Sequence, residues 1–165
     1  MAIFLCLALL FLHFSVLTAA AAPCPPGWLH FAESCYKIEK DALKMWTDAK
    51  KSCEDQQSHL VIVMNLEENT FLRSEVLKIE PPQRNLQYWM DGTDLASEGN
   101  WTWEQTGDTF EISDWSPHEP NQNAGEEDCL SYLSTNGRWN DEHCDKREGY
   151  ICEKGESASG TDVVG

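Results

Sequence analysis

Positive charge is scarce in this chain. Of 165 residues only 12 are Lys or Arg, against 28 Asp or Glu, which leaves a formal net charge of −16. Proteins that bind a phosphate backbone neutralise it with clustered cations and release counterions in doing so, so nucleic acid is excluded as a partner. The same excess is repelled by an anionic membrane surface and draws cations, which makes metal ions the partner class that composition favours. Other patterns are missing too. There is no Gly-rich phosphate loop, no G-x-S-x-G elbow and no C-x2-C pair of the kind that holds zinc. No internal repeat, collagen-like Gly period or heptad run occurs, so multivalency is not written in the sequence.

What is present suits one secreted domain. The length matches a single unit able to bury a real core. Residues 3–17 are almost uninterrupted apolar and are followed by the small residues 19–22. This reads as a signal peptide over residues 1–22, with cleavage near Ala20 to Ala22, although no Lys or Arg follows Met1. The apolar run is short for a span of ~20 residues, so no membrane anchor is expected, and the protein is placed outside the cell. Cleavage removes Cys6 and leaves six cysteines: Cys24, Cys35, Cys53, Cys129, Cys144 and Cys152. An even number in a secreted chain implies bridges, and their spacing alone leaves the pairing open. None remains for an interchain link, so any homo-oligomer would be non-covalent.

The domain is read over residues 23–153, with a tail of disordered composition over 154–165. Pro and Gly punctuation followed by alternation around Cys35, Tyr36 and Ile38 predicts a short hairpin. Over 46–57, Trp46, Ala49 and Cys53 recur on one helical stripe, which places Cys53 against the core. Residues 60–63 read as a strand or a buried connector. Asn65 with Glu68 forms a capping box that opens a second helix, with Leu72, Val76 and Ile79 on one face and Pro81 and Pro82 as its stop. The first half thus shows two helices and little chemistry.

The second half differs. Trp89, Trp101, Trp103, Trp115 and Trp139 lie here among many Gly, Asn and Asp, with short strand-like pieces at 88–90, 101–103, 129–133 and 150–152. Residues 91–128 have little periodicity, and a loop that long in a compact domain is usually functional. The Trp residues read as core and loop anchors rather than stacking platforms. His30, His59, His118 and His143 show no helical pairing and read as structural or surface groups. Asn100-Trp101-Thr102 is a glycosylation sequon on Asn100.

Hard oxygen donors gather in two places. Glu119-Pro120-Asn121 and Glu126-Glu127-Asp128 approach Cys129, and Asn140-Asp141 precede Cys144. Each group alone would be an ordinary solvated loop. If Cys129 and Cys144 bridge, the groups meet, and Ca²⁺ is the matching ion because it takes about six to eight oxygens from carboxylates, amides, carbonyls and water. Positions left open could be filled by a ligand's hydroxyls.

These residues resemble the C-type lectin domain family. Glu119-Pro120-Asn121 resembles its mannose-type sugar motif, Trp139-Asn140-Asp141 its second calcium motif, and Glu127 stands at the acidic position between them. The likeness runs from about Cys24 to Glu153. It implies an α+β fold with two helices, small antiparallel sheets, a long calcium-binding loop region and three disulfides, Cys24 to Cys35, Cys53 to Cys152 and Cys129 to Cys144. It also implies a cis bond before Pro120, and Ca²⁺ and sugar held by Glu119, Asn121, Glu127, Asn140 and Asp141, the last also through its carbonyl. The Asn amides would donate to two vicinal sugar hydroxyls and the carboxylates would accept. A second calcium site is implied at Asp94, Glu98, Gln122, Glu127 and Asp128, with Gln122 where an acid is usual. The family's Trp-Ile-Gly-Leu strand motif reads Trp89-Met90-Asp91-Gly92 here.

The function expected is a secreted calcium-dependent lectin for mannose-, glucose-, fucose- or N-acetylglucosamine-type glycans, microbial or self, and not an enzyme. Acids committed to Ca²⁺ stay ionised, whereas a glycosidase general acid needs a raised pKa. The alternative is an acidic matrix or biomineral protein on the same fold.

Overall fold

The structure, a computed structural model, describes residues 24–79, 86–122 and 125–155. The signal segment, Pro81 and Pro82 and the tail from residue 156 lie outside the described residues. The N-terminal hairpin joins β1 (Leu29–Phe31) to β2 (Ser34–Lys44), paired Leu29 to Tyr36. Helix α1 (Trp46–Glu54) buries the anticipated stripe of Trp46, Ala49 and Cys53. Its anchoring includes polar contacts: the Trp46 indole donates to the Met90 carbonyl at 2.7 Å.

Only the start of the 60–63 run is a strand, β3 (His59–Leu60), and the rest is a buried connector. Val61 donates to Ile151 O at 2.9 Å and accepts from Asp91 N at 3.0 Å, which bridges two strands without extending either ladder. Helix α2 (Leu66–Leu77) is capped by Asn65, whose side chain accepts from Glu68 N. The reciprocal half of the box differs from expectation. Glu68 accepts instead from Met64 N at 2.9 Å and from the Tyr36 hydroxyl at 2.6 Å, because its carboxylate is drawn into the buried space beside β2. Ile79 packs on the core from just beyond the helix end.

The remaining strands are β4 (Gln87–Thr93), β5 (Thr102–Trp103), β6 (Cys129–Leu133), β7 (Trp139–Glu142) and β8 (Glu148–Gly155). They form one connected path, β1-β2-β8-β4-β6-β7, with β3 on β8 and β5 on β4. The sheet is mixed, since β4 and β8 run parallel while the other pairs are antiparallel. The small sheets expected from sequence are thus continuous through the β4–β8 pair. Among the described residues no helix is long and apolar enough to cross a membrane.

The three bridges have the implied pairing. Cys53 to Cys152 spans 99 positions and ties α1 to β8, a loop closure worth about 4 to 5 kcal/mol in the chain-entropy account. The loop between β5 and β6 is held by aromatic packing. Phe110 and Trp115 meet Trp139 edge-on at 5.5 and 6.0 Å, and Trp101 meets Trp115 at 5.0 Å. The altered strand motif fits this packing. A Cβ on Gly92 would lie 2.6 Å from both Leu130 Cδ2 and Phe110 Cζ, so these two side chains fill the space that a larger residue would need.

Candidate metal centre

Strand β7 and the loop between β5 and β6 build the site. Trp139, fully buried, anchors β7, and the pleat then alternates, leaving Asn140 and Glu142 half-buried and Asp141 buried at 1% exposure. The loop carrying Glu119 is stitched to this strand by Trp139 N donating to Asp114 O at 2.9 Å and Ser116 N donating to Trp139 O at 2.8 Å. The Glu119–Pro120 bond is cis.

Asp141 is the organising side chain. Its Oδ2 accepts from the backbone N–H of Asn121 at 2.8 Å and of Gln122 at 3.0 Å. Its Oδ1 is buried with no hydrogen-bond partner. Asn121 donates its amide to Glu119, so the two side chains flanking Pro120 converge. The Glu119 carboxyl is pushed up by burial and by the neighbouring Asp141 carboxylate, against the pull of the Asn121 amide. Asn140 donates to Gln87 Oε1 at 3.1 Å and to the carbonyl of Asp141. Gln87 in turn accepts from Ser131 and donates to Glu142 at 2.7 Å.

The structure thus brings Glu119 and Asn121 beside Asp141, whereas the Asn140 side chain meets Gln87 and the Asp141 carbonyl. Glu127 is near enough to oppose the ionisation of Glu119, but its ligand atoms group with those of Glu142 and His143, mutually within 4.8 Å. Glu142, His143 and Gln87 were not anticipated as site residues. The i, i+2 relation of Glu142 to Asn140 along a strand would have placed Glu142 there had β7 been recognised as one.

Of the second set, Asp94, Glu98 and Asp128 lie with their oxygens within 4.8 Å of one another. Gln122 instead holds the backbone of Glu127, accepting from its N–H at 3.1 Å. Asp94 is buried, accepts from Gly99 N at 2.8 Å through one oxygen and has no partner for the other. Burial raises the Asp94 and Asp128 carboxyls, and adjacent acids raise them further, Asp128 for Asp94 and Glu126 for Asp128. Exposed Glu98 is also raised by desolvation and then by Asp94 and Asp128. Asn100, at the end of this turn, is exposed and donates to Ser97 Oγ at 2.7 Å.

Ionisation is therefore opposed at Glu119 in the first set and at Asp94, Glu98 and Asp128 in the second, and each set carries a buried carboxylate oxygen with no partner. Hard oxygen donors in this state fit Ca²⁺, which would satisfy the unpartnered atoms and relieve the repulsion.

Residues 42–154 match the family model of the Lectin C-type domain. Human C-type lectin domain family 17, member A is 38% identical over 79% of this chain, which spans about a third (32%) of that protein's length. A perlucin-like protein of Mytilus galloprovincialis is 36% identical over 81% of this chain and 84% of its own. Among solved structures, the mouse scavenger receptor C-type lectin carbohydrate-recognition domain superposes with a TM-score of 0.72 at 32% identity, covering 82% of this chain and 98% of that one. The cow C-type carbohydrate-recognition domain of CD23, crystallised in the presence of a GlcNAc2Man3 oligosaccharide, gives 0.70 at 29% identity over 82% and 98%. With its three bridges, two helices and mixed sheet, this chain belongs to the C-type lectin domain family.

Proposed function

We propose that this protein is a secreted calcium-dependent lectin for mannose-type sugars. The observation that carries the reading is the join between the two motif segments. Buried Asp141 takes two backbone N–H groups from the Glu119-Pro120-Asn121 segment on one oxygen and keeps the other unpartnered. That join sets the Glu119 and Asn121 side chains beside Asp141. Glu127, Asn140 and the Asp141 carbonyl would complete the donor set. Bound there, Ca²⁺ would supply open coordination positions to a pair of vicinal hydroxyls.

Around that ion the chain's own groups set the preference. Asn121 and Asn140 offer amide hydrogens, and Glu119 and Glu127 offer acceptor oxygens, so hydroxyls of mannose-type geometry find a donor on one side and an acceptor on the other. The Asn121 amide donates to Glu119, an internal contact that a bound ion and sugar would replace. The carbohydrate reading is supported by the oligosaccharide present with the CD23 domain. The acids would serve binding and not bond cleavage, because a cation held by Glu119 and Asp141 would keep both ionised, whereas a general acid needs a raised pKa.

A glycan array run with Ca²⁺ and again with chelator tests this. Binding of mannose-, glucose-, fucose- or N-acetylglucosamine-ended glycans in Ca²⁺, abolished by chelator, is the expected result. Absence of glycan binding in Ca²⁺ would overturn it, and release of reducing sugar would overturn the non-enzymatic part.

A further inference from the structure

The first half of the chain holds a side chain that touches both segments of the site's framework. Asn69, on α2, is 4% exposed. Its Oδ1 accepts from the Tyr132 hydroxyl at 2.7 Å and from the Trp139 indole at 3.1 Å. Its Nδ2 donates to Asp114 Oδ2 at 3.0 Å. Trp139 directly precedes Asn140 and Asp141. Asp114 opens the loop that reaches Glu119 through Ser116, whose carbonyl accepts from Glu119 N at 3.0 Å.

We propose that Asn69 is a positioning residue for the carbohydrate site, fixing the loop bearing Glu119 and Asn121 against the strand bearing Asn140 and Asp141; this rests on the lectin reading above. The chemistry required is narrow. One group must accept twice and donate once where little water reaches, and a primary amide does this. Leu would leave two buried donors unpaired. Asp would keep both acceptor contacts and set a second carboxylate against Asp114, which already faces Arg73 at 3.3 Å and Arg138 at 3.0 Å. A side chain that only satisfied buried polar groups would affect stability and leave the affinity of the folded protein alone. A side chain that sets the spacing of two ligand-bearing segments must affect affinity as well, because ligand groups misplaced by a fraction of an ångström bind less well.

The test compares the full chain with Asn69→Asp, both at a temperature where circular dichroism shows them fully folded. Calorimetry measures Ca²⁺ affinity, then methyl α-mannoside affinity at saturating Ca²⁺. The expected result is Ca²⁺ binding weakened by about tenfold in the variant, the scale of a lost outer-shell contact. Equal affinities for both ligands, whatever the melting temperature, would overturn the proposal. Should the wild type bind neither ligand, the lectin reading falls and takes this inference with it. Should the variant not fold, hydrogen exchange of the Trp139 indole N–H in the wild type decides. Ca²⁺ should slow that exchange by about tenfold through reciprocal coupling, and an unchanged rate would refute the assignment.

Discussion

Asp91 gives the strand its least comfortable residue and the protein a measurable pH dependence. It is fully buried in β4, where one oxygen accepts from Gln105 N at 2.9 Å and the other has no partner. Burial pushes its carboxyl up from the ordinary 3.8 to about 6; Glu104 adds to this, while the Gln105 N–H, Lys50 and His59 oppose it. At about 1.4 kcal/mol per pH unit, the ionised form carries a penalty of about 3 kcal/mol. The sign follows from proton counts. Between about pH 4 and 6 the folded protein holds a proton that the unfolded chain has released, so stability rises as pH falls through that window. Above about pH 7 the full penalty is present. Urea denaturation of the wild type and of Asp91→Asn, from about pH 8 to about pH 4.5 at constant saturating Ca²⁺, isolates the effect. The amide's own hydrogen-bonding defect does not vary with pH, and distant titrating groups cancel in the difference. Wild type should gain about 2 kcal/mol on the variant across the range. A difference that stays flat would show that Asp91 is already neutral or is solvated within the fold, and would refute the reasoning.

Gly92→Ala, whose new Cβ would lie 2.6 Å from Leu130 and Phe110, should lower stability by about 1 to 3 kcal/mol in urea, and an unchanged midpoint would count against the packing. Chelator should lower the melting temperature by several degrees, since Ca²⁺ at a hundredfold excess over its Kd contributes about 2.7 kcal/mol; identical melting curves would argue against occupancy of either cluster. The Glu119 carboxyl is pushed up to about 7 by burial and the adjacent Asp141 carboxylate, so Ca²⁺ binding there would displace a proton in mildly acid solution. Calorimetric heats at about pH 6 should therefore depend on the buffer's ionisation enthalpy and those at about pH 9 should not, with Ca²⁺ affinity falling as pH falls. Glu119→Gln combined with Asn121→Asp exchanges the donor and acceptor sides and should move preference toward galactose, a shift that retention on mannose and galactose columns would reveal or deny.

How much of this was legible in the sequence depends on the range of the forces involved. The α1 stripe of Trp46, Ala49 and Cys53 is a local pattern, and it appears as written. The Asn65 cap is local as well, but Glu68 is claimed by Tyr36, 32 positions away, so only half of the box forms. Strand β7 was hidden because one aromatic anchor is followed by three polar residues, and Trp-Asn-Asp-Glu carries no apolar alternation; its strand character comes from pairing with β6. The same limit explains Asn69. On a helix a polar residue reads as solvent-facing, and nothing within one turn of it indicates that its amide meets Asp114 and Trp139, 45 and 70 positions further on. The motif residues could be named because their donor chemistry is visible in one dimension, whereas the groups that would hold them at the right spacing are defined only by what the fold places beside them. The first half of the chain, which showed little chemistry of its own, thereby supplies through α2 a contact shared by both ligand-bearing segments.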